Sequence, residues 1–165
     1  MKKLILLFIF IPNILFAGSM KAIGTKGKEK NVNRVIKVSM YDNYYQPNKF
    51  KVKNNETIKF LIENKGELVH EFNIATKKMH LKHQQEMMMM VENEILLVDK
   101  IDKKKQKEMA KKNPSMAHSH SNSVLLSPGE KTELIWMFSN SIDIEAACNV
   151  PGHYEAGMIA KIDNL

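Results

Sequence analysis

Hydrophobic and polar residues alternate in short runs over two parts of the chain, residues 35–74 and 123–162. Ile58, Phe60 and Ile62 would share one face of a strand, and turn signals such as Pro128-Gly129 separate the runs. The pattern predicts seven or eight short strands, near residues 35–40, 48–53, 57–63, 68–74, 123–126, 132–138, 142–147 and 158–162.

The pattern changes between residues 76 and 112, which contain no Gly or Pro and are rich in Lys, Glu, Gln, Met and Leu. These residue types favour helix. We predict one or two helices, near residues 78–97 and 100–112, that end before Asn113-Pro114. A polar loop rich in His and Ser follows at residues 115–122.

Short strands with turns between them favour an antiparallel Greek-key β-sandwich, which is an all-β fold, here with a helical, Met- and His-rich insertion. The length of 165 residues suits one domain. We place this domain at residues 34–165, with the insertion at about 76–122. Residues 18–33 are rich in Gly, Lys and Asn, and we predict that they form a flexible N-terminal arm.

The first 17 residues have the features of a secretory signal peptide. Lys2 and Lys3 precede an apolar run from Leu4 to Phe16, and Ala17 offers a small residue for cleavage. Pro12-Asn13 interrupts the run, whereas a bilayer crossing needs about 20 apolar residues. We therefore predict export and cleavage rather than a stable membrane anchor.

The chain is basic, with 25 Lys and Arg against 18 Asp and Glu. The lysines concentrate in the N-terminal arm and at residues 100–112, without interleaved aromatic residues, and no Gly-rich phosphate loop is present. A nucleic-acid partner is therefore disfavoured. A solvated basic face is the simpler interpretation, with attraction to acidic partners or membrane surfaces as a secondary one.

One short loop carries most of the candidate chemistry. Cys148, the single cysteine, cannot form an intramolecular disulfide, so it is a buried thiol, an intermolecular partner or a metal ligand. His153 and Met158 follow within the same loop, where Pro151-Gly152 supplies a turn. Thiolate and thioether favour Cu(I), and imidazole binds copper in both oxidation states, so the loop suggests a copper site.

A fourth ligand would have to come from elsewhere in the chain. His70, on the predicted strand at residues 68–74, is the obvious candidate. Two His and one Cys in a plane with a long axial Met form the blue-copper arrangement. Zinc is the main competitor, but structural zinc sites use four Cys or His ligands, and a Met in fourth place favours copper.

The chain resembles the cupredoxins, the single-domain blue copper proteins, over about residues 35–74 and 121–165. It looks most like the periplasmic copper-tolerance cupredoxins of bacteria, which share a Cys-Asn-x-Pro-Gly-His-Tyr-Glu-x-Gly-Met type of loop. The matching segments are Tyr45–Lys53 leading into Glu56–Phe60, Gly66 followed by His70, Ser127–Glu130 and the loop that ends in Gly157-Met158.

The resemblance implies one type 1 copper held by His70, Cys148, His153 and Met158, in a periplasmic protein. It also implies that His153 is the exit for electrons and that the partner is a redox protein or a copper-handling protein. No substrate bond is made or broken at such a site, so we do not expect an enzyme.

The insertion adds further soft ligands. In a helix, Met79, His83, Met87 and Met90 would lie on one face, and two interpretations stay open. Such a face more often packs on a core, but Met and His also suit copper. The candidate auxiliary copper ligands are Met79, His80, His83, Met87, Met90, Met116, His118 and His120.

The sequence supports copper tolerance as the leading function, with redox cycling of a bound copper between Cu(II) and Cu(I). The alternatives are a soluble electron carrier between respiratory components and a copper chaperone. The insertion favours tolerance, because extra soft ligands help a protein that sequesters copper and are of no use to a carrier.

Overall fold

The computed structural model describes residues 22–139 and 143–164, so the predicted signal peptide lies outside the described residues. The described chain forms two five-stranded sheets and two helices. The elements are β1 (Thr25–Lys26), β2 (Arg34–Tyr41), β3 (Tyr44–Gln46), β4 (Lys49–Val52), β5 (Thr57–Asn64), β6 (His70–Ala75), α1 (Lys77–Glu92), α2 (Lys103–Ala110), β7 (Ser123–Leu126), β8 (Lys131–Met137), β9 (Glu145–Ala147) and β10 (Ile159–Asn164).

The first sheet has the strand order β1-β8-β5-β2-β3, and the second has the order β4-β10-β9-β6-β7. The prediction of a β-sandwich with a helical insertion is confirmed. The sheets are not purely antiparallel, because β2 pairs with β5, and β4 with β10, in parallel. Alternation in a sequence indicates which face a residue occupies but not the direction of its neighbouring strand, so this pairing was not predictable from the pattern.

The core lies between the two sheets and is rich in aromatic side chains. Phe60 of β5 and Phe72 of β6 are fully buried, with ring centroids 5.3 Å apart. Trp136 of β8 is also fully buried, and its indole Nε1 donates a hydrogen bond of 3.1 Å to the carbonyl of Ile23. Each sheet therefore contributes its inward-facing residues to one shared core.

The described part of the expected flexible arm, residues 22–33, is packed on the first sheet, and here the prediction differs from the structure. Thr25 pairs with Met137 as the start of an edge strand, and Ile23 is buried beside Trp136. A single apolar residue in a polar segment gives no periodic signal. The burial of Ile23 therefore could not be distinguished from an isolated hydrophobic residue in a mobile arm.

Helix α1 lies against the outer face of the second sheet, where His80 and His83 contact Asn149 and Glu71, and α2 packs through Met109 on the small apolar cluster that contains Met87 and Met90. Each begins with a capping side chain: Thr76 Oγ1 accepts from the amide of Met79, and Asp102 Oδ1 accepts from that of Lys105. Their cover leaves every residue of β6 buried, on both faces of the strand. In the described part of the chain, no helix is long and apolar enough to cross a membrane.

Candidate metal centre

His70, Cys148 and His153 converge at one end of the sandwich. One candidate ligand atom from each residue lies within 4.8 Å of the other two. His70 begins β6 and Cys148 directly follows β9, and these two strands are hydrogen-bonded neighbours in the second sheet. Cys148 Sγ lies 3.4 Å from His153 Nδ1, and the two imidazole centroids are 5.0 Å apart. The sheet therefore brings a mid-chain residue to the C-terminal loop.

The loop after Cys148 folds back on itself. Gly152 and Gly157 have φ angles of 87° and 88°, a conformation that favours glycine. The amide of Met158 donates to the carbonyl of His153 at 3.0 Å, and the amide of Cys148 donates to the carbonyl of Met158 at 3.2 Å. Met158 is fully buried. Its main chain therefore lies against two of the other proposed ligands.

Asp42, at the turn after β2, fixes the orientation of the His70 ring. His70 Nε2 lies 2.8 Å from Asp42 Oδ1, and that carboxylate also accepts from the amides of Glu67 and Leu68. A Cβ on Gly66 would lie 2.3 Å from Asp42 Oδ1 and 2.9 Å from His70 Nε2. Glycine at position 66 is therefore required by the close approach of this pair, and a carboxylate partner of this kind fixes a ligating imidazole.

The donor set fits a copper ion. His70 Nδ1 is buried and has no hydrogen-bond partner, although the other ring nitrogen is held by Asp42. A buried nitrogen without a hydrogen-bond partner is costly unless something binds it, and this one belongs to a residue grouped with a buried thiol. Two imidazole nitrogens, one thiolate and one thioether are the ligands that copper prefers over zinc.

The protonation states also suit metal binding. Burial lowers the pKa values of His70 and His153, so both imidazoles are neutral at pH 7 and available as ligands. Burial raises the pKa of the Cys148 thiol to about 12, which keeps it protonated until a metal displaces the proton. The amide of Glu71 donates to Cys148 Sγ at 3.3 Å, a contact that favours the thiolate.

The family model for the cupredoxin-like domain matches residues 8–109. The chain belongs to the cupredoxin-like family, and the predicted resemblance is confirmed. The solved structure of reduced auracyanin from the photosynthetic bacterium Roseiflexus castenholzii has the same fold, with a TM-score of 0.57 and 15% identity, and the match covers 81% of this chain and 98% of that one.

Two relatives are similar over most of their length. The chain is 32% identical to the copper-resistant cuproprotein CopI of Pseudomonas aeruginosa, over 98% of this chain and 96% of that protein. It is 29% identical to the copper-resistant cuproprotein CopI of Rubrivivax gelatinosus, over 84% of this chain and 71% of that protein.

The candidate auxiliary residues separate into three groups. Met79 is partly buried and packs on the main core, and His80 is fully buried, with its ring next to Asn149 and the carbonyl of Glu145. A second group lies in a small apolar cluster under the helices and contacts other hydrophobic side chains: Met87, Met90 and Met116. The third group, His83, His118 and His120, comes together at the surface of the insertion.

Three carboxylates at these centres were not predicted. Asp42 follows a strand and gives no sequence signal of its own. Glu71 directly follows His70 on a strand, so their side chains point to opposite faces, and a carboxylate on the outward face would ordinarily meet solvent. Glu86 does give a usable signal, because His83 and Glu86 are three residues apart and share one face of a helix.

Proposed function

We propose that this chain is a periplasmic copper-resistance protein that binds one copper ion through His70, Cys148, His153 and Met158. The observation that carries the proposal is the convergence of His70, Cys148 and His153, together with a buried nitrogen of His70 that has no hydrogen-bond partner. The similarity to the copper-resistant CopI of Pseudomonas aeruginosa over nearly the whole chain supports the resistance role.

The role of the protein in the mechanism is to hold the four proposed copper ligands in one fixed arrangement. Asp42 and Gly66 fix the His70 ring, and the hydrogen bonds within residues 148–158 fix the other three residues. A bound copper supplies a one-electron couple between Cu(II) and Cu(I), whose preferred geometries differ. A donor set held rigidly by a packed core needs little rearrangement between the two states.

His153 connects this centre with the surface. Its side chain is partly exposed, whereas His70, Cys148 and Met158 are fully buried. It lies in a turn with exposed residues on both sides. The ring of His153 is therefore the proposed route by which an electron reaches or leaves the centre.

The decisive experiment is complementation of a deletion strain on copper plates. The wild-type gene and the Glu155→Gln control, an exposed change in the same turn, should restore growth, and Cys148→Ala should not. The purified wild-type protein with copper should show an intense thiolate-to-copper band that Cys148→Ala lacks. Unchanged copper sensitivity of the deletion strain would refute the resistance role, and absence of the band would refute the site.

A soluble electron carrier is the second candidate, and an exposed apolar surface favours it. Leu81 and Met88 are seven residues apart on α1 and are 50% and 46% exposed. Met88, Pro151 and Gly152 line one shallow surface depression beside the ligand loop. Such a surface suits transient docking of a redox partner. Slower respiration of the deletion strain at trace copper would support the carrier. Copper sensitivity of that strain with unchanged respiration would exclude it.

A further inference from the structure

A second cluster of ligand-type side chains lies in the helical insertion, apart from the centre described above. His83 and Glu86 come from adjacent turns of α1, and His118 and His120 come from the segment that follows a short 3-10 helix at Pro114–Ala117. One candidate ligand atom from each residue lies within 4.8 Å of the others. The three imidazole centroids are 5.0 to 5.1 Å apart.

Glu86 lies between the three rings. Its carboxylate oxygens are 2.9 Å from His120 Nε2, 3.2 Å from His118 Nδ1 and 3.4 Å from His83 Nδ1. A single carboxylate thus faces one nitrogen of each imidazole. Two segments far apart in sequence therefore bring three nitrogen donors and one oxygen donor to the same point.

A second carboxylate, Glu71, lies beneath this cluster. Its side chain is completely buried, and its Oε1 lies 3.0 Å from His83 Nε2 and 3.1 Å from His118 Nε2. His118 Nε2 is buried and makes no hydrogen bond of acceptable geometry despite this distance. Two described residues, His70 and His118, each have one such buried nitrogen without a hydrogen-bond partner, and each belongs to a cluster of ligand-type side chains.

The backbone at His118 is unusual as well. Its φ of 45° is in the left-handed region, which a non-glycine residue adopts only at a cost. Backbone strain of this kind persists where the surrounding structure determines it, and it concentrates at ligand sites. The strained turn directs the ring of His118 towards Glu71 and Glu86 instead of into solvent.

The cluster is accessible from outside. A surface pocket of about 540 Å³ is lined by His83, Glu86 and His120, together with other residues of α1 and the C-terminal end of β6. His120 is the most exposed of the three imidazoles, and His118 is the most buried. An ion could therefore enter along this pocket and meet His120 first.

We propose that His83, Glu86, His118 and His120 bind a divalent transition-metal ion, with copper(II) as the tightest binder. Once an ion displaces their protons, the three imidazoles are neutral, and the carboxylates of Glu86 and Glu71 leave two negative charges, which a divalent ion balances. The set contains no thiolate or thioether, so it suits divalent ions rather than Cu(I), and copper(II) binds such ligands more strongly than zinc. This site shares no ligand with the set proposed above.

Glu71 also links the two clusters. Its amide donates to Cys148 Sγ at 3.3 Å, and its carboxylate accepts from the side-chain amide of Asn149 at 2.7 Å. An ion at the second cluster would therefore alter the charge next to the residue that contacts the thiol. We expect occupancy of the second site to shift the thiolate-to-copper band, a readout that rests on the proposed function.

Binding is tested first without the Cys148 centre. The Cys148→Ala protein, stripped with a chelator, is titrated with copper(II) sulfate and separately with zinc sulfate, and bound metal is counted after gel filtration. We expect one tightly bound ion. Adding His118→Ala and His120→Ala should abolish it, and Glu86→Gln should weaken it at least tenfold, whereas the exposed Glu92→Gln on the same helix should leave it unchanged.

The alternative is that the cluster is only a network of protonated imidazoles and carboxylates. Failure of the Cys148→Ala protein to retain either metal would overturn the proposal, as would equal binding by the double His variant. Fluorescence of the buried Trp136 checks that each variant is folded, and Glu86→Gln gives a milder change if the double variant is not. Absence of the thiolate-to-copper band in the wild-type protein would count against the first site alone.

Discussion

Replacement of Glu71 by Gln removes a carboxylate that is completely buried between the sheet and the insertion. Six groups surround it: the main-chain and side-chain amides of Asn149, the side-chain amide of Asn73, the hydroxyl of Ser123, and the rings of His83 and His118. All six present an N–H or O–H group when the two imidazoles are protonated. A neutral glutamine keeps the shape of the side chain but leaves those donors without a charged partner.

The expected loss of unfolding free energy follows from the complete burial of the Glu71 carboxylate and its partners. Loss of one partner from a buried ion pair typically costs about 3–5 kcal/mol, because the other charge is left without compensation. A domain of this kind has a total stability of about 5–15 kcal/mol. We therefore expect metal-free Glu71→Gln to stay folded with roughly half of its stability lost. With a urea slope of about 2 kcal/mol per molar, the unfolding midpoint should fall by roughly 2 M.

The effect should depend on pH, with a defined sign. Burial opposes the charge on Glu71, but His83 and His118 hold the pKa of its carboxyl well below 4.5. The stabilisation that the ionised carboxylate provides is therefore present above pH 4.5 and is lost as the pH falls. Burial also opposes the cation of His83, but Glu71 and Glu86 raise its pKa from 6.5 to about 10. Its contribution is complete below pH 6.5 and is lost as the pH rises towards 10.

The assay is urea unfolding followed by fluorescence of Trp136, the single tryptophan, in EDTA from pH 5 to pH 10. The wild-type protein should lose stability between pH 6.5 and 10, and Glu71→Gln should show a smaller change over that range. Glu67→Gln, an exposed change four residues earlier, should stay within about 0.5 kcal/mol of wild type. A loss below about 1 kcal/mol for Glu71→Gln would refute the reasoning.

Three other predictions concern the first centre and the insertion. Asp42→Asn should weaken copper affinity about 10- to 100-fold in a competition titration, because the ring of His70 loses its fixed orientation. The thiol of metal-free Cys148, with its pKa raised to about 12, should not react with a thiol reagent at pH 8 until urea unfolds the chain. Thr76→Ala should cost about 1 kcal/mol of unfolding free energy through loss of the α1 cap.

Each of these three has a contrary outcome. Equal copper affinity of Asp42→Asn and the exposed control Asp99→Asn would show that the carboxylate does not orient the ring. Rapid labelling of the folded protein would show that Cys148 is accessible or ionised. An unfolding free energy of Thr76→Ala equal to that of the wild type would show that packing of α1 alone determines where the helix begins.

The ligand loop was predictable because its information is local. Cys148, His153 and Met158 lie within one loop, and ligand preference alone relates a thiol, an imidazole and a thioether to copper. The strands were predictable for the same reason, since alternation is a property of neighbouring residues. The prediction of His70 as a ligand required only that its strand lie next to the strand that precedes the loop. The two strands, β6 and β9, are paired.

The carboxylates and the fate of the methionines depend on tertiary packing. Glu71 occupies the outward face of β6, and its burial follows from the cover that α1 provides, which no local pattern encodes. Met87 and Met90 lie on the face of α1 that meets Ile95 and Leu96, so they pack in an apolar cluster. Helical periodicity places the methionines on a common face but does not determine what covers that face.

Adjacent positions on β6 belong to different centres. Neighbouring side chains of a strand point to opposite sides, so His70 faces the ligand loop and Glu71 faces the insertion. A slip of the strand by a single residue would exchange the two sides and disable both sites together. Grafting the C-terminal loop onto another sandwich would therefore transfer at most one centre, and the outer one would require this strand with its helical cover.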